Sequence, residues 1–352
     1  MVGKIIVVVG GQYGSEGKGL IAGYLSQKES APLLAVRVGG PNAGHTVWDQ
    51  GREFKLQSLP VATVKRRDSL LVSAAGSEVE WAQLQKELRE TSEYGVRDRY
   101  TLDGQATIID PELHAGFHAS SEAWGGTGKG TNRARAARMT REAELALSWE
   151  GVQDAPQIGD TASAMRYHLQ NGGTVLIEGT QGYGLGTHAG EYPHCTGNDC
   201  TAMDFLSQAG IAPWGGFWQL EIWVVIRTNP IRVAGNSGPF HAGETTWEAL
   251  REEYGSHIPV EQTTVTKKTR RVGLWDGELA FDSVKANGGP NGAVHVALTF
   301  FDYQHPEFRD VTIAGGPPWE RDSIDDLQWY EHEVGQAIEL VGTGADSVVD
   351  LR

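Results

Sequence analysis

Only two cysteines, Cys195 and Cys200, occur among the 352 residues. Two thiols are too few for a disulfide framework, and without a second ligand pair they do not build a structural zinc site. No long basic run is present, and 45 Asp+Glu against 30 Lys+Arg leave a net charge of −15. That balance excludes duplex nucleic acid or an anionic membrane as the main partner. No apolar stretch reaches the roughly 20 residues that cross a bilayer, and the opening run from Ile5 to Val9 meets Gly10 and Gly11 too soon to be a signal peptide. No internal repeat and no low-complexity tail is found. The expectation is a cytoplasmic protein whose anionic ligands, if any, are small and held by a local cluster of cations and backbone N–H groups.

Apolar, β-branched runs recur at Ile5 to Val9, Leu33 to Val38, Leu70 to Ser73, Thr174 to Ile177, Ile222 to Ile226 and Val294 to Leu298. Strands apolar on both faces belong in a buried, largely parallel sheet. Helical spacing predicts helices over Lys18 to Gln27, Val79 to Thr91, Thr161 to Gln170, Thr201 to Ala209, Thr246 to Tyr254 and Ile324 to Leu340. The alternation predicts an α/β fold, a mostly parallel central sheet flanked by helices, in one domain over 1–352. The 46 glycines concentrate outside these elements. Three stretches, about 120–140, 180–200 and 260–272, read as binding loops inserted in the domain.

Directly after the first predicted strand stands Gly10-Gly11-Gln12-Tyr13-Gly14-Ser15-Glu16-Gly17-Lys18-Gly19, followed by a helix. Strand, glycine turn, lysine and helix N-terminus together form an anion site, because uncapped N–H groups, the helix dipole and an ammonium converge there. The spacing departs from the standard phosphate loop, and Gly19 stands where a magnesium-binding Ser or Thr is usual. Lys129, Arg138, Arg270 and Arg271 are further candidates for phosphate or carboxylate groups.

The glycine loop resembles the adenylosuccinate synthetase signature GQWGDEGKG, and Asn42-Ala43-Gly44-His45-Thr46 matches that family's NAGHT. Weaker likenesses follow along nearly the whole chain. Gly126 to Gly130 resembles the monophosphate loop, Glu178 to Gly182 resembles EGAQG, and Tyr192 to Thr196 resembles YPYVTS. Thr264 to Thr266 with Lys268, Arg270 and Arg271 is similar to the loop that grips aspartate, Leu298 to Asp302 stands where the family has LTKLD, and Thr343 to Asp346 matches STGPD in part.

The resemblance implies a P-loop-like synthetase fold and a homodimeric, magnesium-dependent ligase that phosphorylates a purine 6-oxygen and then lets aspartate displace the phosphate. Ser15, Lys18 and His45 would do the chemistry, with His45 donating to the transferring phosphoryl. The nucleoside triphosphate would meet Gly14, Glu16, Gly17, Lys18, Gly19, Gly44, His45, Thr46, Arg270, Asp302, Thr343 and Gly344. The purine monophosphate would meet Ser15, Asn42, Ala43, Thr127, Gly128, Lys129, Arg138, Gln181 and Thr196, an arginine near Arg138 coming from the other subunit. Aspartate would meet Thr264, Val265, Thr266, Lys268 and Arg270, and magnesium Ser15 and the Gly44 carbonyl.

Two departures from the family pattern point to a changed substrate. Ser15 replaces the aspartate that binds magnesium and removes the ring proton, a task for which a hydroxyl is far too weak a base. Its small side chain leaves room for a purine 2-amino group, so the chain resembles the phage branch that makes 2-aminoadenylosuccinate nucleotides from dGMP. Phe300 replaces a lysine that packs by the guanine of GTP, which implies ATP or dATP as donor. The competing expectations are a GTP-dependent synthetase acting on IMP and a nucleotide sensor without catalysis.

Overall fold

The first strand, Gly3–Gly10, is buried along nearly its whole length, and its side chains are shared between two cores. Ile5, Val7 and Val9 face one hydrophobic cluster, while Ile6 and Val8 face another on the opposite side of the sheet. Each such Ile or Val removed from water contributes about 1.5–3 kcal/mol. The neighbouring strands repeat the division, Val175 and Ile177 against Leu176, and Ile222, Val224 and Ile226 against Trp223 and Val225. Burial on both faces is the physical reason these runs are apolar without alternation.

The computed structural model describes residues 2–109, 126, 128–151, 156–263, 267–290, 292–312 and 319–352. Ten strands form the main sheet: β1 Gly3–Gly10, β2 Leu33–Arg37, β3 Leu70–Ser73, β4 Tyr100–Asp103, β5 Gln157–Gly159, β6 Thr174–Glu178, β7 Trp218–Arg227, β8 Val294–Thr299, β9 Ile338–Gly342 and β10 Val348–Asp350. Their order is β10-β9-β8-β7-β1-β6-β2-β3-β4-β5. Every neighbouring pair is parallel except β9 and β10. The chain leaves β1 toward β2 on one side and later crosses to β7 on the other, so the order reverses around β1. In an open parallel sheet the cleft beyond the carboxyl ends at such a reversal is where ligands bind. The glycine loop after β1, the Asn42–Thr46 segment after β2, Gln181 after β6, the segment after β7, Phe300 to Asp302 after β8 and Thr343 after β9 all issue from those ends.

All six predicted strands are present, and the α/β class holds. Two expectations need correction. The segment read as a loop through residue 140 contains a helix, Thr131–Thr140, and the last part of the long predicted helix, after Val334, is not helical. That helix ends at Val334, where Gly335 takes a left-handed φ of 70°, and Ile338–Gly342 pairs with β8 instead. The first helix, α1, spans Lys18–Lys28, as its spacing predicts. The strand β4, the edge strands β5 and β10 and the helix Gly277–Ala286 were unforeseen, because short strands and strands of mixed polarity carry little periodic signal.

A hairpin, His45–Asp49 with Arg52–Leu56, carries His45 opposite Leu56. Its exit is fixed by the fully buried Glu87, whose carboxylate accepts the backbone N–H groups of Gln57 (2.7 Å), Ser58 (3.0 Å) and Leu59 (2.9 Å). Removing it leaves three buried donors without an acceptor, each costing about 1–3 kcal/mol. Glu87→Ala is therefore expected to lose at least about 3 kcal/mol in urea unfolding. A loss under about 1 kcal/mol would show that the hairpin exit re-pairs elsewhere.

Candidate active site

The loop between β1 and α1 is shaped by its own carboxylate. Glu16, wholly buried, accepts N–H bonds from Gln12 (3.1 Å) and Gly14 (2.7 Å) and pairs with the Lys18 ammonium at 2.6 Å. The turn demands consecutive left-handed residues, Gly14 at φ 87° and Ser15 at φ 60°. Around it the packing is close. A Cβ on Gly182 would run into the Glu16 carboxylate and the Gly14 N–H, and Thr299 Oγ1 lies 2.6 Å from the Glu16 carbonyl. Ser15 stands exposed, its carbonyl accepting from Arg227 Nη1 at 3.1 Å. α1 starts at Lys18 after Gly17 as N-cap, with no side-chain cap and no acidic residue in its first turn, which leaves its leading N–H groups suited to an anion.

His45, 5 % exposed, lies behind this loop with its Nδ1 2.8 Å from Glu178 Oε2. Arg37 Nη1 lies 2.9 Å from Nδ1 and 3.2 Å from Nε2. Glu178 also accepts the Val61 N–H at 2.7 Å, and the Arg37 guanidinium reaches the Ala43 and Gln57 carbonyls. Burial, reinforced by the Arg37 and Lys18 charges, holds the imidazole well below its ordinary range, so it is neutral. Burial pushes the Glu178 carboxyl up to about 7 against the opposing pull of Arg37 and the Val61 N–H. The neutral imidazole and the raised carboxyl lie within one hydrogen bond of each other.

The expected residues divide into those at this loop and those elsewhere. Gly14, Ser15, Glu16, Gly17, Lys18 and Gly19 form the loop itself, and His45 and Thr46 pack against Gly19. Gln181, at φ 61°, lies beside Gly10 and Gly14. Glu16 and Lys18, both expected to face the triphosphate, turn their side chains into each other. Gly44 is exposed next to His45, and Asn42 bonds to Thr131 at the start of the Thr131–Thr140 helix. Gly128 lies just before that helix, and Lys129 pairs with Glu80 at 2.9 Å. Arg138 is exposed and donates to the Gln105 carbonyl at 2.6 Å, while Arg135 grips Glu78 with two bonds. These last arginines border a pocket of about 370 Å³ lined also by Asn198, Asp204 and Gln208, with no residue of the glycine loop among its walls. Thr196 is held by Leu185 and Thr187.

On the other flank, Arg270 donates through Nε to Gln262 O at 3.3 Å, and Lys268 is exposed. Arg271 is committed to Glu244 and the Gly238 carbonyl. Asp302 is buried, with Arg309 3.7 Å away, and burial raises its carboxyl above the usual range. Thr343 is fully buried, its hydroxyl donating to Val311 O at 2.8 Å, so its side chain serves the fold, and Gly344 is packed against Asp310 and Ser347. Thr127, Thr264, Val265 and Thr266 lie outside the described residues.

Sequence reasoning assigned no role to Arg37, Glu178, Arg227 or Glu261. A signal for three of them was present. Arg37, Glu178 and Arg227 each end an otherwise apolar central strand, and all are at most 1 % exposed. A charge placed there is buried at the cleft end of the sheet and must find partners among the loops.

Comparison with known proteins bears on this geometry. The family model described as adenylosuccinate synthetase matches residues 7–149 and 148–316. The chain belongs to the adenylosuccinate synthetase family. Adenylosuccinate synthetases of Methanococcus aeolicus and of Pyrococcus sp. strain ST700 are each 34% identical, over 98% and 99% of this chain and 99% and 98% of theirs. Among solved structures, cyanophage S-2L succinoaminodeoxyadenylate synthetase (PurZ), bound to dGMP and dATP as an energy donor, is 26% identical with a TM-score of 0.79, covering 100% of this chain and 96% of that one. Fully ligated adenylosuccinate synthetase from Plasmodium falciparum has a TM-score of 0.81 at 19% identity, over 99% of this chain and 100% of that one, a likeness of fold. The chain is thus an adenylosuccinate-synthetase-like ligase, an enzyme that forms a C–N bond, with the α/β fold of its family. No helix among the described residues is long and apolar enough to cross a membrane.

The Glu16–Lys18 pair can be dissected by substitution. Glu16→Ala strands a buried ammonium and two loop N–H groups and is expected to lose about 3–5 kcal/mol in urea unfolding. Glu16→Gln keeps a carbonyl oxygen for Gln12 and Gly14 and should lose clearly less. Equal losses would assign the effect to the ion pair alone.

Proposed function

We propose that this member of the family condenses L-aspartate with dGMP, driven by ATP or dATP, to give 2-amino-2′-deoxy-N6-succinyladenylate for diaminopurine nucleotide synthesis. The observation that carries the reading is Ser15. Where the family has a carboxylate, this chain presents a short, exposed hydroxyl at a left-handed turn beside Lys18. A hydroxyl accepts a hydrogen bond from a 2-amino group and leaves it room, whereas a carboxylate there suits a purine without one. The 26% identity, over the whole chain, to a synthetase solved with dGMP and dATP supports the same choice.

The chemistry runs in two displacements. The guanine 6-oxygen attacks the γ-phosphorus, the nucleoside diphosphate leaves with the bonding pair, and the ring N1 proton passes to water, so a poor leaving group becomes a phosphate ester. The α-amino group of aspartate then attacks C6, and inorganic phosphate leaves with the bonding pair. Lys18 and the uncapped start of α1 neutralise charge that develops on the phosphoryl group. His45, neutral by burial, donates to that group once its imidazole turns from Glu178 and Arg37 toward the cleft.

The oxygens of Ser15 Oγ and Gly44 C=O, both on exposed residues, are hard donors that fit a magnesium ion resting mainly on phosphate oxygens and water. Among the described residues no cluster of three or more His, Cys, Asp or Glu forms an all-protein metal cage. When bound, the ion supplies charge neutralisation at the phosphates. Asn42, Gly128, Lys129, Gln181 and Thr196 surround the monophosphate in this reading, and Lys268 and Arg270 the aspartate, with an arginine near Arg138 reaching across a homodimer.

A substrate panel tests the reading. With aspartate and magnesium, turnover on dGMP should exceed that on IMP by more than about tenfold, and ATP or dATP should outperform GTP. Ser15→Asp should abolish dGMP turnover, and His45→Ala should abolish turnover while keeping nucleotide binding. Preference for IMP with GTP would replace this reading with the standard synthetase, and nucleotide binding without phosphate release in any combination would make the chain a sensor.

A further inference from the structure

We infer that Arg227 is a positioning residue that locks the root of the aspartate-side loop to the glycine loop, so that the aspartate site is correctly formed only while Ser15 is correctly held. Its side chain, 0 % exposed, ends β7. Nη1 donates to the Ser15 carbonyl at 3.1 Å, and Nη2 donates to Glu261 Oε1 at 2.5 Å, with Glu261 Oε2 3.4 Å from Nη1. The guanidinium lies 3.9 Å from the centre of the Phe300 ring. Its backbone completes a two-way clamp with Gln12, N–H to Oε1 and Nε2 to carbonyl, both at 3.0 Å.

Glu261 is the base of the loop that carries Lys268 and Arg270. Its carbonyl accepts the Arg270 N–H at 2.9 Å, the Thr263 N–H meets the Lys268 carbonyl at 2.9 Å, and a bridge joins Gln262 to Thr269. Its carboxylate also accepts the Tyr303 hydroxyl at 3.2 Å. One buried cation thus fixes three separate chain segments, and a planar fork is the side chain able to do so through two edges and a face at once. A carbonyl held at Ser15 fixes the peptide on which that side chain is mounted. Losing the fork frees Ser15 and the loop root together.

The inference rests on the aspartate-dependent reaction proposed above. The first measurement does not. Hydrogen exchange on the unliganded chain should show amides 261–263 and 267–270 losing protection in Arg227→Met and in Glu261→Gln, with the β1 and β6 amides unchanged. In kinetics on whichever purine substrate the wild type accepts, Glu261→Gln, which leaves the Arg227–Ser15 contact in place, should raise the aspartate KM by more than about tenfold with the purine monophosphate KM within about twofold, whereas Arg227→Met should raise both. Arg227→Lys, which keeps the charge and loses the fork, should recover less than half of the defect. Should Arg227→Met fail to fold, Glu261→Gln, partly exposed at the loop root, carries the test alone. Unchanged loop exchange, or equal rises in both KM values in Glu261→Gln, overturns the inference. A wild type inactive on every substrate, with the exchange result as expected, sinks the proposed function and keeps the coupling.

Discussion

A buried carboxylate inside the glycine loop is the constraint from which the site follows. A run of glycines and left-handed residues has little preference for one shape, since glycine gives up the most freedom on ordering. Glu16 supplies what the composition lacks. By accepting two N–H groups of its own loop and binding Lys18, it converts an adaptable turn into a fixed one before any phosphate arrives. The arrangement stands only because the surroundings leave no alternative. Gly10 and Gly182 approach so closely that a methyl group on either would strike the carboxylate. An ion pair so placed contributes little net stability compared with an apolar packing of the same volume, so its value is in the geometry it enforces.

The same logic recurs at the ends of the central strands. Arg37, Glu178 and Arg227 each sit where an apolar strand gives way to a loop, and each spends its charge on backbone or side chains of two or more other segments. A parallel sheet delivers these side chains to one edge without further instruction, because all its strands but one run the same way. This end of the sheet therefore carries buried charges that are far apart in sequence. Pairing of each with a charge or backbone group of another segment allows them to be buried at all.

How much of this was legible follows from which forces leave a local mark. The central strands were readable because burial on both faces imposes an unbroken apolar run, and the glycine loop with Lys18 because its chemistry is contiguous. The segment 131–140 was misread as loop because its helix is rich in Arg, Thr and Ala and buries only Thr131 and Ala134, so no apolar stripe announces it. Ile338 to Leu340, the start of β9, was misread as helix because an apolar run reads alike in either state until the left-handed Gly335 separates them. Pairings such as Arg227 with Glu261 or His45 with Glu178 join residues 34 and 133 positions apart. No spacing rule reaches that far, and only the charged ends of apolar strands hinted at them.

The two departures from the family pattern, Ser15 and Phe300, look independent in the sequence and are not independent in space. Both touch Arg227, Ser15 through its carbonyl and Phe300 through the face of its ring. A lysine at position 300 would bring a second ammonium toward a guanidinium already buried, a repulsion that an aromatic face replaces with attraction. Phe300 itself adopts a left-handed φ of 59° and packs edge-on against Tyr303 at 5.1 Å, whose hydroxyl meets the same Glu261. The exchange of lysine for phenylalanine thus stabilises the cation that holds Ser15. A change that first reads as altered donor recognition also supports the peptide that carries Ser15. The physical coupling between the two positions is one guanidinium wide.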